Sequence, residues 1–89
     1  MKLVVTIVGK DRVGIIAMVS NVLAENNVNI LSINQNIMDG FFNMVMIAEM
    51  KDSKIKLQDL QKILSDKGQE INLDIKAQHQ DIFNVMHNV

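Results

Sequence analysis

Apolar side chains occupy both alternating sets of positions over residues 3–8, Leu3-Val4-Val5-Thr6-Ile7-Val8, and the run ends at Gly9. A short β-branched stretch closed by a turn residue predicts a strand buried on both faces, at the middle of a sheet. Over residues 13–26 the period changes, with Ile15, Ile16, Val19, Val22 and Leu23 recurring every three or four positions and Ala17, Ser20, Asn21 and Ala24 opposite them. That is an amphipathic helix. Asp11 stands before it as a candidate N-cap, its carboxylate able to accept a bond from a first-turn amide. Asn26-Asn27 interrupts the helix, and residues 30–38 then alternate, Leu31, Ile33 and Ile37 against Ser32, Asn34 and Asn36, as a strand with one wet face does. Asp39-Gly40 is the dipeptide that a two-residue type I′ turn prefers, because both positions need positive φ, so residues 41–50 must return antiparallel to that strand.

A second helical stripe, Leu57, Leu60, Ile63 and Leu64, lies within residues 53–67, and Gly68 is the expected left-handed residue at its end. Ile71, Leu73, Ile75 and Ala77 then alternate with Glu70, Asn72, Asp74, Lys76 and Gln78, which predicts an edge strand with one solvated face. Residues 81–89 read as a short tail helix. The order β-α-β-β-α-β is that of an α+β, ferredoxin-like sandwich with the antiparallel sheet order 4-1-3-2. The pattern agrees with that order, since the first and third strands should be central and are apolar on both sides: Val4 and Val8 back onto Leu3, Val5 and Ile7, while Phe41, Val45 and Ile47 back onto Phe42, Met44, Met46 and Met50. Two helices cover one face only, so the other would expose a contiguous apolar patch. The expected covers are the tail, through Ile82, Phe83, Val85, Met86 and Val89, and a second copy of the chain. The expected organisation is one domain over residues 1–79 and a C-terminal helix over residues 80–89 that packs on the sheet or on the partner subunit.

Eighty-nine residues, 48% hydrophobic and 21% charged, allow one core. The absence of cysteine excludes disulfides, thiolate metal sites and a cysteine nucleophile, and fits a reducing compartment. Nine basic against ten acidic side chains leave a charge of −1, without the excess that nucleic-acid binding requires. The apolar run at the start is too short for a signal-peptide core, and no membrane-spanning stretch occurs. The expectation is a soluble cytoplasmic protein with no membrane and no nucleic-acid partner. His79 and His87 are distant from each other and lack a supporting cluster, so no metal site is expected and they read as surface residues. Met38, Met44, Met46 and Met50 read as core and interface filling, and Asn34, Gln35 and Asn36 as residues that keep an edge solvated or pair across a dimer.

The segment richest in candidate chemistry is Gly9-Lys10-Asp11-Arg12-Val13-Gly14-Ile15, from the first strand into the first helix. A helix start offers unpartnered N–H groups and the positive end of the helix dipole, which together receive a carboxylate. Gly14 lets a ligand approach the backbone, Asp11 can pair with an ammonium and Arg12 with a carboxylate. The same residues also fit a plain N-cap, a solvated arginine and a tolerated glycine.

Gly9-Lys10-Asp11-Arg12-Val13-Gly14-Ile15-Ile16, with Asn29-Ile30 opening the second strand and Asp39-Gly40-Phe41-Phe42 before an apolar strand, resembles the ACT-domain superfamily, in particular its small stand-alone bacterial members of unassigned function. The similarity runs over nearly the whole chain. The family's acidic residue, variable or basic residue, frequent proline and glycine match Asp11, Arg12, Val13 and Gly14, with Val13 departing from the proline form. The resemblance implies a homodimeric regulatory domain that binds a small molecule, an amino acid in several relatives, between the first loop and the second strand of a neighbouring copy. Carried over, the site comprises Asp11, Arg12, Val13, Gly14, Ile15, Asn29 and Ile30. It implies no catalytic residue, no cofactor and no metal, and leaves the regulated protein unnamed.

Two other functions share the fold. An acylphosphatase-like hydrolase would use Arg12 for phosphate and Asn34 or Asn36 to place water, yet the loop lacks that family's longer glycine-and-arginine motif. An RNA-recognition module would need exposed aromatics on the central strands, where only Phe41 and Phe42 stand. A purely structural assembly domain is the remaining alternative.

Overall fold

The computed structural model describes residues 1–82, in the order β1 (Lys2–Lys10), α1 (Ile15–Glu25), β2 (Asn29–Met38), β3 (Phe41–Glu49), α2 (Leu57–Glu70) and β4 (Leu73–His79). The strands form one antiparallel sheet in the order β2-β3-β1-β4, the predicted order read from its other edge. Residues 80–82 begin a helical turn directly after β4, and the rest of the expected tail helix lies outside the described residues.

The core forms on one side of the sheet. Leu3, Val5 and Ile7 of β1 lie level with Ala48, Met46 and Met44 of β3, and all six are buried against Val19 and Leu23 of α1 and Leu60 and Leu64 of α2. The opposite side of the same strands is also apolar, as the double-sided pattern requires. Val4 is 2% exposed there, although it does not belong to the helix-side cluster. Val8 and Val45 remain about half open, at 47% and 42%. The two central strands are therefore the two predicted, and the uncovered remainder of the second face lies toward the Phe41 end.

The hairpin between β2 and β3 has the expected turn, with Asp39 at φ 51° and Gly40 at φ 80°. Three helix ends differ from expectation. α1 starts at Ile15 and its N-cap is Gly14, not Asp11, with no side chain capping it. The Asp11 amide donates to the Gly40 carbonyl at 2.8 Å, which prolongs β1 alongside the hairpin turn and leaves Asp11 three residues short of the cap position. α2 starts at Leu57 because Ser53 forms a local turn first, its hydroxyl bonded to the Ile55 carbonyl at 2.8 Å. At its other end Gly68 is a buried interior residue, and the left-handed position falls to Asn72, at φ 58°.

The amino terminus is fixed to β3, the Met1 ammonium lying 2.7 Å from the Glu49 carboxylate. The ammonium, hydrogen-bonded to it, holds that carboxyl below its ordinary value of 4.5. A depressed folded-state value means that the contribution to stability is present above about 4.5 and is lost as pH falls through the folded value. Acid unfolding curves of the wild type and of Glu49→Gln are therefore expected to converge as pH drops below 4.5, the variant being the less stable above it. A constant gap at all pH values would refute the ion pair's role.

Candidate functional site

β1 runs to Lys10 and α1 begins at Ile15, so residues 11–14 turn the chain from the sheet into the helix layer. The turn depends on Gly14, whose φ of 93° and ψ of 1° is a left-handed conformation that side-chain-bearing residues avoid. An added Cβ at Gly14 would meet nothing within 4 Å, so the position is open to an approaching ligand and the constraint is conformational. Because the N-cap has no side chain, no capping group covers the first-turn amides of α1, and the positive end of the helix dipole faces the loop. Asp11, Arg12 and Val13 are exposed around this helix start, Val13 at 99%. A valine that open buries almost none of its surface against the described residues.

The loop separates two clefts. One, of about 300 Å³, lies between Asp11, Arg12 and Gly14 on the loop side and Gln35, Ile37 and Phe42 on the sheet side. The other, of about 410 Å³, lies between Arg12 and Val13 and the α2–β4 connection at Ile71 and Asn72. The first joins unpaired amides, a guanidinium and a carboxylate to an apolar wall. It can therefore receive a small molecule carrying both a carboxylate and an ammonium, such as an amino acid.

Asp11, Arg12, Val13, Gly14 and Ile15 are thus brought together. Asn29 and Ile30 are not near them within one chain. Asn29 is level with Glu49 and Lys2, whereas Ile37 is level with Phe42 and Gly9. The seven-residue separation along β1 amounts to roughly 23 Å at the rise of a β-strand. Asn29 instead lines a separate hollow of about 450 Å³ at the other end of the sheet, beside Asn27, Glu49 and Asp52. Sequence reasoning missed the wall made by Gln35, Ile37 and Phe42. The Asp39-Gly40 turn could have revealed it, since the turn fixes Ile37 opposite Phe42 and the strand order then places Phe42 beside Gly9.

Among the described residues no group of His, Asp and Glu side chains is arranged to hold a metal ion. Nor, among them, is any helix long and apolar enough to cross a membrane.

Comparison with known proteins bears on the family and the fold. The family model described as the ACT domain matches residues 1–78. A UPF0237 protein of Clostridium perfringens is 49% identical over 89 residues, covering 100% of both chains. Of solved structures, an ACT domain protein from Streptococcus pneumoniae superposes with a TM-score of 0.80 at 37% identity and covers 93% of each chain. A formyltetrahydrofolate deformylase from Pseudomonas syringae superposes with a TM-score of 0.79 at 26% identity, over 88% of this chain but only 27% of its own length.

Proposed function

The chain belongs to the ACT domain family, a small-molecule-binding regulatory fold, and from that premise we propose that it works in the cytoplasm as a homodimeric regulatory module for an amino acid, without catalysis of its own. The observation that carries the reading is the uncapped start of α1 at Gly14, open above its Cβ position and flanked by Asp11 and Arg12. In this reading the ligand carboxylate takes the first-turn amides and Arg12, and its ammonium takes Asp11. Ile37 and Phe42 receive the side chain. Asn29 and Ile30 belong to the same site only as contributions from a neighbouring copy. In the deformylase the matching fold makes up 27% of a larger chain. A free-standing copy would act on a separate protein, because regulation needs a second site to bias.

A thermal-shift screen against the common amino acids tests the reading. A ligand at about ten times its dissociation constant should add ~1.4 kcal/mol, a rise of roughly 5–10 °C for a domain of this size. Gly14→Asp, which sets a carboxylate where the ligand's own should dock, is expected to abolish the rise. If no amino acid shifts the transition, or if Gly14→Asp shifts as the wild type does, the site is misassigned.

A further inference from the structure

We propose that the second cleft beside the first loop, between Arg12 and Val13 and the α2–β4 connection, is a separate site for a small organic anion on a short apolar body, and that it competes with the first cleft for Arg12. The site stands on its own geometry, whereas the competition rests on the ligand reading above.

Val13 sets the two clefts apart. It is 99% exposed, belongs to no part of the core, and lines the second cleft but not the first. Across from it stands Ile71, half-buried against the core, so the cleft of about 410 Å³ has a branched apolar side chain on either side. Gly9 brings the Ile71 side close. A Cβ there would lie 3.1 Å from the Asn72 carbonyl oxygen and 3.3 Å from the Leu73 Cα, so only a glycine lets the α2–β4 connection sit against the end of β1. Asn72 turns the chain there at φ 58°, and its side-chain amide has no hydrogen-bond partner among the described residues.

The polar part of this cleft is cationic. Lys10 and Arg12 line it together with Asp11, and two cations against one carboxylate leave one positive charge in excess. Among the described residues none of the three is in an ion pair, whereas Lys62 and Lys76 are taken by Asp66 and Asp74. An anion entering here meets the Lys10 ammonium and the Arg12 guanidinium, with the Asn72 amide as a further donor. Its apolar body then lies between Val13 and Ile71, where it removes exposed valine surface from water.

The loop sorts ligands between the clefts by their charge. Asp11 and Arg12 line both clefts, and Lys10 lines the second and not the first. In the first cleft an anion without an ammonium leaves the Asp11 carboxylate unpaired beside it, and the like charges repel. In the second, Lys10 offsets Asp11. An amino acid is therefore directed to the first cleft, and the same molecule without its amino group to the second. Arg12 serves one cleft at a time, because a planar guanidinium turned onto a carboxylate on one side of the loop withdraws its donors from the other. Occupation of either cleft consequently weakens the other, by the same factor in both directions. The domain then responds to the ratio of an amino acid to an amine-free anion of similar size, and not to the amount of either alone.

Isovalerate, which is valine without its ammonium, is the probe. It is titrated into the isotopically labelled wild-type chain and followed by nuclear magnetic resonance. The Val13 and Ile71 methyl signals and the Asn72 side-chain amide are expected to move and saturate, while those of Gln35 and Ile37 stay in place. Movement at Gln35 and Ile37 with Val13 unchanged would overturn the second site, as would the absence of any saturable movement. Lys10→Ala should weaken isovalerate about tenfold, Lys10→Arg should restore it, and neither should alter the thermal shift that amino acids produce. An equal loss of both ligands in Lys10→Ala would show that the two clefts are one site. For the competition, isovalerate is titrated again with the amino acid of largest thermal shift present at about ten times its dissociation constant. The apparent dissociation constant of isovalerate should rise about fivefold. An unchanged constant overturns the competition alone. If no amino acid shifts the transition, the function proposed above falls and the competition with it, and the isovalerate titration decides the second site independently.

Discussion

Met46→Ala is expected to lower the unfolding free energy by about 2–5 kcal/mol, whereas Val45→Ala, one residue earlier on the same strand, should cost about 1 kcal/mol or less. Met46 is fully buried on the helix side, level with Val5 on β1 and Ile33 on β2. Truncating it removes most of its apolar surface and leaves a cavity that neighbours on a hydrogen-bonded sheet cannot readily close. Val45 points to the other side, level with Thr6 and Asn34, and is 42% exposed. Urea unfolding with an unchanged m-value measures both. Against a total stability of about 5–15 kcal/mol for a domain, the first loss is decisive and the second minor. Equal costs would mean that the far face is packed as tightly as the core, contrary to the exposure of Val8, Phe41 and Val45.

That contrast also explains why the strand order was legible. A strand apolar on both faces has no stable place at a sheet margin, so β1 and β3 had to be central, and the hairpin then left β2 and β4 as edges. The Asp39-Gly40 turn was equally readable, because its positive φ values of 51° and 80° are a demand on residue type. Helix ends were read less well. Asp11 has the chemistry of an N-cap, and nothing local reveals that its amide is committed to Gly40, far along the chain. Ser53 is likewise a plausible helix start by composition, while its hydroxyl serves Ile55 instead.

The site divides along the same line. The loop was visible because an acidic residue, a basic residue and a glycine before a helix carry their chemistry with them. The wall of Gln35, Ile37 and Phe42 depends on register, a property of two strands together. Asn29 and Ile30 stand at the far end of the sheet, and no pattern within one chain could bring them to Asp11. Under the proposed function they could join the site only from a second copy, so their part in it depends on the dimer.

Gly68→Leu is the substitution for which local and tertiary reasoning give opposite signs. As a helix-interior change it should stabilise, since leucine is a better helix former than glycine by roughly 0.8 kcal/mol. Gly68 is buried inside α2 against β4, however, and a Cβ there would lie 2.6 Å from the Leu73 carbonyl oxygen and 3.0 Å from the Ile75 side chain. The nearer obstacle is backbone, which no rotamer change removes. α2 must therefore lift from β4, loosening Leu60 and Leu64 where they seal the core. Overpacking of this kind costs up to about 3 kcal/mol and occasionally more. The expected net outcome is a loss of about 2 kcal/mol, a fall in melting temperature of roughly 8–16 °C. A variant more stable than the wild type would show that α2 and β4 do not approach so closely, and that the glycine stands there for its local conformation alone.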